Sequence, residues 1–199
     1  MTTRQTGGGA VAQDVADPDA PLVRRVAQGD EGACKLLMNR HLGRILSVAR
    51  RMLGSDGDAE DVAQEVFVRI WRHAASWEAG RARFETWIYR VTVNLCYDRL
   101  RKRKEVTVDE MPDVADAAPS VVERHAQRDV ARAMENALAR LPERQRLAIV
   151  LCHYQELTNI EAAELLELSV EALESLLARG RRALRELLRE QANDLLQAL

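Results

Sequence analysis

Apolar residues recur every three or four positions along most of this chain, and no strand-like alternation reaches a useful length. From Asp58 to Arg72, DAEDVAQEVFVRIWR sets Val62, Val66 and Ile70 on one helical face, with Phe67 and Ala63 at its margin. From Phe84 to Lys104, FETWIYRVTVNLCYDRLRKRK sets Phe84, Trp87, Ile88, Val91 and Leu95 on a core-facing stripe. Further on, Pro142 opens LPERQRLAIVLCHYQEL as an apolar helix. Thr158 to Glu161 has the form of a capping box and starts a short helix through Leu166. Ser169 caps a longer helix, VEALESLLARGRRALRELLRE. Glycine is sparse inside these segments, so the pattern predicts an all-α protein.

The periodicity fails in two places. Residues 1–18, with Gly7-Gly8-Gly9, predict a disordered tail. Residues 105–123, EVTVDEMPDVADAAPSVVE, hold six acidic residues, no basic ones, and both Pro112 and Pro119. That stretch lacks the apolar content to offset its ordering entropy and predicts a flexible acidic linker over 105–124. Two small helical domains follow, about 20–104 and 125–199. The net charge of −2 hides an uneven distribution. Residues 22–104 carry 17 basic and 10 acidic residues, whereas residues 124–199 carry 11 and 12. The N-terminal unit is therefore basic, as a nucleic-acid partner would require.

That charge changes what the second face of the Phe84–Lys104 helix can mean. Arg90, Asn94, Tyr97, Arg101 and Lys104 follow one another at spacings of four, three, four and three. Cations, an amide and an aromatic on one stripe can pair with phosphates, hydrogen-bond a base edge and stack on an unpaired base. A solvated helix face has the same composition. Upstream, the loop holding Trp77, Gly80, Arg81 and Arg83 interleaves aromatics with arginines, which favours single-stranded nucleic acid. On the Asp58–Arg72 helix, Asp58, Glu60, Asp61 and Glu65 crowd the half where the helix dipole favours anions. Asp61, Gln64, Glu65 and Val68 also compose a mixed outer surface suited to another protein's helices. Both explanations stand on these residues alone. The short helix, the brief turn and the longer helix with Arg179, Arg181, Arg182 and Arg185 match a helix-turn-helix, although a plain αα-hairpin in a bundle would look alike.

Other chemistry is excluded or unsupported. Cys34, Cys96 and Cys152 are scattered and odd in number, which predicts reduced thiols and no metal framework. There is no Ser-His-Asp, metal-ligand or phosphate-loop arrangement, so the chain is expected to be non-enzymatic and to need no cofactor. No run approaches the ~18 apolar residues of a membrane span, so no membrane insertion is expected. The first twenty residues lack the apolar core of an export signal, which makes the cytoplasm the expected location.

DAEDVAQEVFVRIW, then FETWIYRVTVNLCYDRLRKR, a linker, LPERQRLAIVL and a terminal helix-turn-helix, in this order, resemble the extracytoplasmic-function (ECF) sigma factors of the sigma-seventy family. The resemblance spans about residues 22–190. It implies two helical domains, the first binding core RNA polymerase and the minus-ten promoter element, the second binding the minus-thirty-five element. It implies polymerase docking through Asp58, Asp61, Gln64, Glu65 and Val68. It implies melting and capture of unpaired promoter bases by Trp77, Arg81, Arg83, Arg90, Asn94, Tyr97 and Arg101, with Arg90 and Asn94 at the R and N of the family's W-x-Y-R-x-x-x-N pattern. In the second domain it implies Thr158, Asn159, Glu174, Ser175, Ala178, Arg179, Arg181 and Arg182 at the DNA, with Arg181 or Arg182 near phosphate. Core polymerase, promoter DNA and a cognate anti-sigma factor are the implied partners, in the service of stress-response transcription.

Two departures stand out. Many relatives carry Thr-Val and a cation early in the recognition helix, where this chain has Ala172-Leu173-Glu174 after Glu171. A carboxylate repels phosphate but can accept from cytosine N4. Glu167 occupies what is often a turn glycine, and a left-handed conformation there would cost roughly 1–2 kcal/mol. A stand-alone helix-turn-helix regulator would account for residues 141–190 but not for the Asp58–Lys104 constellation. A protein-binding helical adaptor would give Arg90 and Asn94 no role.

Overall fold

Local caps divide the chain into helices much as the periodicity predicts. The computed structural model describes residues 17–77, 83–107 and 125–197. The expected tail up to residue 16, Arg81, and the expected linker from residue 108 on lie outside the described residues. Among those described, the elements are α1 (Ala20–Ala27), α2 (Glu31–Leu53), α3 (Asp56–His73), a 3-10 turn (Ala74–Ser76), α4 (Phe84–Thr107), α5 (His125–Ala139), α6 (Glu143–Ile149), a π-helical turn (Val150–Tyr154), α7 (Asn159–Leu165) and α8 (Val170–Gln197). Asp30 opens α2 by accepting the Ala33 N–H at 3.0 Å, and Gly54 closes it in the left-handed region at φ 66°. Ser55 then caps α3 by accepting the Asp58 N–H at 3.2 Å.

Helix α4 is capped from far away in sequence. Asp17 Oδ2 accepts the Phe84 N–H at 2.5 Å, so Asp17 and Pro18 belong to the folded domain rather than to a tail. At its other end α4 runs on to Thr107, past the point where the linker was expected to begin.

The α3 core face is the predicted one: Val62, Val66 and Ile70 are fully buried, and Ala63 and Phe67 nearly so. The α4 face is not. Phe84, Ile88 and Leu95 are buried, but Trp87 and Val91 are only half-buried, while Tyr89, Thr92, Val93 and Cys96 are inside. The cause is coverage from two directions, because α2 and α3 pack on one side of α4 and α7 packs on another. The buried arc therefore widens to roughly half the circumference and turns away from the predicted centre. Thr92 satisfies its buried hydroxyl by donating to the Ile88 carbonyl at 2.9 Å.

In the second unit α6 and α7 pack on α8, with Leu147, Leu151, Ala162, Leu165, Leu173 and Leu177 buried between them. Gly180 allows α8 to approach α6 closely, since a Cβ there would stand 2.9 Å from Ile149 Cδ1 and 3.3 Å from Gln145 Cβ. Glu167, in the α7–α8 turn, has φ 55°, the left-handed conformation its position suggests. Glu167→Gly is accordingly expected to stabilise the chain by about 1 kcal/mol. Thermal unfolding reads this as a raised Tm, and a lowered Tm would show that the glutamate side chain contributes more than its backbone costs.

The two units also meet each other. Arg146 of α6 donates to the Met52 carbonyl at 2.6 Å, at the C-terminal end of α2. Gln155 accepts from the Tyr89 hydroxyl at 3.1 Å and donates to Ser47 Oγ at 3.0 Å. The Arg51 guanidinium lies 4.0 Å above the centre of the Tyr154 ring, and Lys104 pairs with Glu143 at 2.7 Å.

Candidate polymerase and nucleic-acid interfaces

The acidic first half of α3 faces the basic end of α4. Arg99 donates to Asp58 at 3.2 Å and to Asp61 at 3.3 Å, and Arg103 donates both to Asp58 and to the Leu53 carbonyl, the latter at 2.8 Å. Two of the five cations between Arg99 and Lys104 thus hold α4 onto α3 and onto the end of α2. They are spent on structure. Arg101 reaches Asp98 at 3.3 Å and remains exposed.

On the outer side of α3, Asp61, Gln64 and Val68 are exposed, Glu65 pairs with Arg69 at 3.0 Å, and Asp58 is partly covered by its arginines. Gln64 and Val68 stand between two hollows. One is a polar hollow of about 590 Å3 between α3 and α4, which includes Asp61, Glu65, Asp98 and Lys102. The other is an apolar groove of about 900 Å3 between α2 and α3, floored by Met38, Leu42 and Phe67 and edged by Trp71. Trp71 and Val68 are 43% and 39% exposed, so a bulky apolar rim faces solvent beside carboxylates. The predicted mixed surface is present as a single patch.

The predicted single-strand face is divided. Arg83, Arg90, Asn94 and Arg101 are exposed. Trp77 is not splayed outward: its ring meets Phe84 edge-on at 5.6 Å, and Trp87 stacks on the other side of Phe84 at 5.5 Å. Trp77 anchors the end of the loop into the core. Tyr97 is half-buried beside Glu143, Arg144, Leu166, Leu168 and Leu176 of the second unit, and burial raises its hydroxyl above the ordinary tyrosine range. Arg90 donates to the Glu164 carbonyl of α7 at 3.5 Å. Asn94 is thus left exposed between residues that face the other unit.

The helix-turn-helix geometry is tied together by side chains. Thr158 accepts from the Glu161 N–H while Glu161 accepts from the Thr158 N–H, completing the capping box. Asn159 donates to Glu174 at 3.3 Å, linking the first turn of α7 to α8. Glu171, Glu174, Ser175, Ala178, Arg179, Arg182 and Arg185 are all exposed, and their spacing places them on one side of α8. Arg181 instead turns back to donate to His153 Nε2 at 3.1 Å. Burial first and the Arg181 charge second hold His153 below its ordinary value, so its ring accepts that bond as a neutral imidazole. Arg181 is therefore occupied within the domain.

Comparison with known proteins decides the family. Residues 37–106 match the model for sigma-70 region 2, and residues 131–184 match the model for sigma-70, region 4. The chain is 31% identical over 182 residues to the ECF RNA polymerase sigma factor SigW of Bacillus subtilis, covering 84% of this chain and 95% of that protein. It belongs to the ECF sigma factors. Among other relatives of this ECF sigma factor, the RNA polymerase sigma-H factor of Pseudomonas aeruginosa is 31% identical over 191 residues, covering 87% of this chain and 97% of that one. In three dimensions it is similar to CnrH in complex with the cytosolic domain of CnrY, with a TM-score of 0.65, 29% identity and coverage of 86% of this chain and 97% of that one. The fold is shared with the Bartonella quintana sigma factor RpoE, at a TM-score of 0.66 and 22% identity, covering 78% and 96% of the two chains. Region 2 of this sigma factor comprises α2 to α4, and region 4 comprises the second half of α5 through the first half of α8. Among the described residues no group of three or more His, Cys, Asp or Glu side chains is placed to hold a metal, and no helix is long and apolar enough to cross a membrane.

Sequence reasoning missed the residues that join the two units. Ser47, Arg51, Arg146, Tyr154 and Gln155 carry no motif signal, and Tyr89 has one only as the Y of the W-x-Y-R-x-x-x-N pattern, because their joining role is defined only by partners far away in the chain.

Proposed function

We propose that this ECF sigma factor binds core RNA polymerase, recognises minus-ten and minus-thirty-five promoter elements and promotes DNA melting to start transcription. The observation that carries this is Asn94. It lies exposed on a helix otherwise buried over about half its surface, on a ridge with Arg90 and Arg101. An amide flanked by guanidinium groups can read an unpaired base while its neighbours hold the backbone. Duplex reading falls to α8, where Glu174, Ser175, Ala178 and Arg179 can meet base edges and Arg182 can meet phosphate. Polymerase supplies the chemistry and this chain supplies recognition, in the cytoplasm, where polymerase works. The relative in the Bartonella complex is bound to an anti-sigma factor. A partner of that kind is expected to restrain this chain as well, and to bring the stress signal. Run-off transcription with purified core polymerase on a library of promoters tests the proposal. Duplex binding without polymerase, and no transcription with it, would favour a stand-alone regulator.

Docking to core polymerase is assigned to Asp58, Asp61, Gln64, Glu65 and Val68, the patch between the two hollows. Reversing charge at Asp61 and Glu65 is expected to weaken binding to core polymerase while the chain stays folded. Their pairs with Arg99 and Arg69 are exposed, and such pairs contribute about 0.2–1 kcal/mol each. A core-competition assay reads the effect. Unchanged affinity would remove this face from the docking surface.

A further inference from the structure

Two carboxylates stand on the reading side of α8, and the fold treats them differently. Glu171 is held at the helix start, where its own backbone N–H first and the Ser169 hydroxyl second keep its carboxyl below the ordinary glutamate range. Ser169 also accepts the Ala172 N–H at 3.2 Å, so the Glu171 carboxylate belongs to the cap. Glu174, the fifth residue of α8, is exposed and bonds instead to a side chain of another helix. Its Oε1 accepts from Asn159 Nδ2 at 3.3 Å, and Asn159 is half-buried at the first position of α7. Among the described residues Oε2 has no protein partner. The neighbouring side chains leave that oxygen free to reach outward. Ser175 follows directly and Ala178 lies one turn on, and both are exposed and short. Glu174 therefore projects beyond them, near the end of a recognition helix that contacts base edges. Arg179, Arg182 and Arg185 share its side of α8 and offset its repulsion from phosphate.

A carboxylate only accepts hydrogen bonds, and the base edges of the major groove are unequal toward it. Guanine presents N7 and O6, and thymine presents O4 and a methyl group, so neither offers a donor. Adenine offers its N6 amino group, but the N7 acceptor beside it repels the carboxylate. Cytosine offers its N4 amino group with no acceptor beside it on the same base. With Oε1 taken by Asn159, one open oxygen faces one amino group. The wrong base leaves that oxygen desolvated without a donor, which is where discrimination arises.

We propose that Glu174 is the specificity-determining residue for a cytosine in the minus-thirty-five element, accepting from cytosine N4 through Oε2, and that Asn159 is a positioning residue that fixes this carboxylate. The proposal rests on the reading of α8 as the helix that enters duplex promoter DNA.

The test uses the full chain with core RNA polymerase and a promoter library whose minus-thirty-five region is randomised, each member carrying a transcribed barcode. Sequencing of the run-off transcripts gives the base preference at every position, and circular dichroism confirms that each variant is folded. Wild type is expected to prefer cytosine at one position by about 5- to 10-fold, the low end for a base contact because the bond is single. Glu174→Ala is expected to flatten the profile at that position and leave the preferences elsewhere in place. Glu174→Gln is expected to move the preference there to adenine, since an amide accepts from N6 and donates to N7. Asn159→Ala is expected to keep cytosine preferred but to shrink the ratio at that one position. A lost phosphate contact would instead weaken all promoters about equally, and that result would overturn the positioning role. A Glu174→Ala profile identical to wild type overturns the proposal, even if overall transcription rises as repulsion from phosphate is relieved. A Glu174→Gln variant that still prefers cytosine overturns it as well. No transcription from any member of the library, with wild type included, would sink the reading of the chain as a promoter-recognition subunit, and that failure is seen apart from one confined to Glu174.

Discussion

Asn94→Ala is expected to leave helicity and Tm nearly unchanged while cutting open-complex formation by about 5- to 150-fold, the equivalent of 1–3 kcal/mol for a lost base contact. Asn94 is exposed and outside the core, and surface changes of that kind fall within about 0.5 kcal/mol of stability. The template decides what the loss means. On a duplex promoter the variant should fail to open DNA. A pre-melted bubble should restore whatever part of the deficit came from strand separation, and a deficit in reading bases should persist. Arg90→Ala is expected to show a smaller net effect in the same assay, because the change also releases the Arg90 contact with the Glu164 carbonyl of region 4. Arg179→Ala should weaken upstream contact on both templates alike. Permanganate footprinting and run-off transcription on matched duplex and bubble templates separate these outcomes. Full activity of Asn94→Ala on duplex DNA would falsify the assignment of this stripe to promoter bases.

Arg146→Ala is expected to have the largest effect on stability, a loss on the order of 3–5 kcal/mol. The Arg146 side chain is 8% exposed by residue, and its guanidinium donates to the carbonyls of Ala139, Leu141 and Met52. Removing it leaves three backbone acceptors without their donor in a region that water does not fill easily. Two of those carbonyls close the α5–α6 turn and the third ends α2, so the loss should appear in region 4 and at the contact between units together. Arg146→Met keeps the apolar stem and is expected to lose nearly as much, because the missing donors rather than the missing volume carry the cost. Chemical denaturation followed by circular dichroism gives the value. A change below about 1 kcal/mol would mean that these carbonyls find other partners.

Much of the helical plan follows from residues a few positions apart. The α3 core face of Val62, Val66 and Ile70, the Thr158 capping box, the α7–turn–α8 order and the left-handed Glu167 are each set by neighbours within one or two turns. Periodicity and capping are local physics, and local physics can be read along the chain. The exposed α8 face is legible for the same reason, since spacing alone groups Glu174, Ser175, Ala178, Arg179 and Arg182.

The basic end of α4 shows where such reading stops. As a string, Arg99 to Lys104 looks like a phosphate-binding run. In the fold, Arg99 and Arg103 turn onto carboxylates 38 to 45 residues away, because the packing of α3 on α4 sets Asp58 and Asp61 within hydrogen-bonding reach of them. Trp77 likewise belongs with loop aromatics by composition and with the core by contact. The α4 stripe was misplaced because periodicity counts apolar residues on one helix, whereas burial depends on how many neighbours that helix has. Here a second unit covers what one domain alone would expose. What the amino-acid sequence determined by itself was the family, the helices α3, α7 and α8 with the caps at Thr158 and Ser169, and the sides of α3 and α8 that carry charged and polar groups. Only the tertiary structure decided which of those groups neutralise one another, and that Gln155, Tyr89 and Ser47 meet across separations of 66 and 108 residues. Long-range pairing depends on where whole helices come to rest, and no residue carries its distant partner's identity in its own neighbourhood.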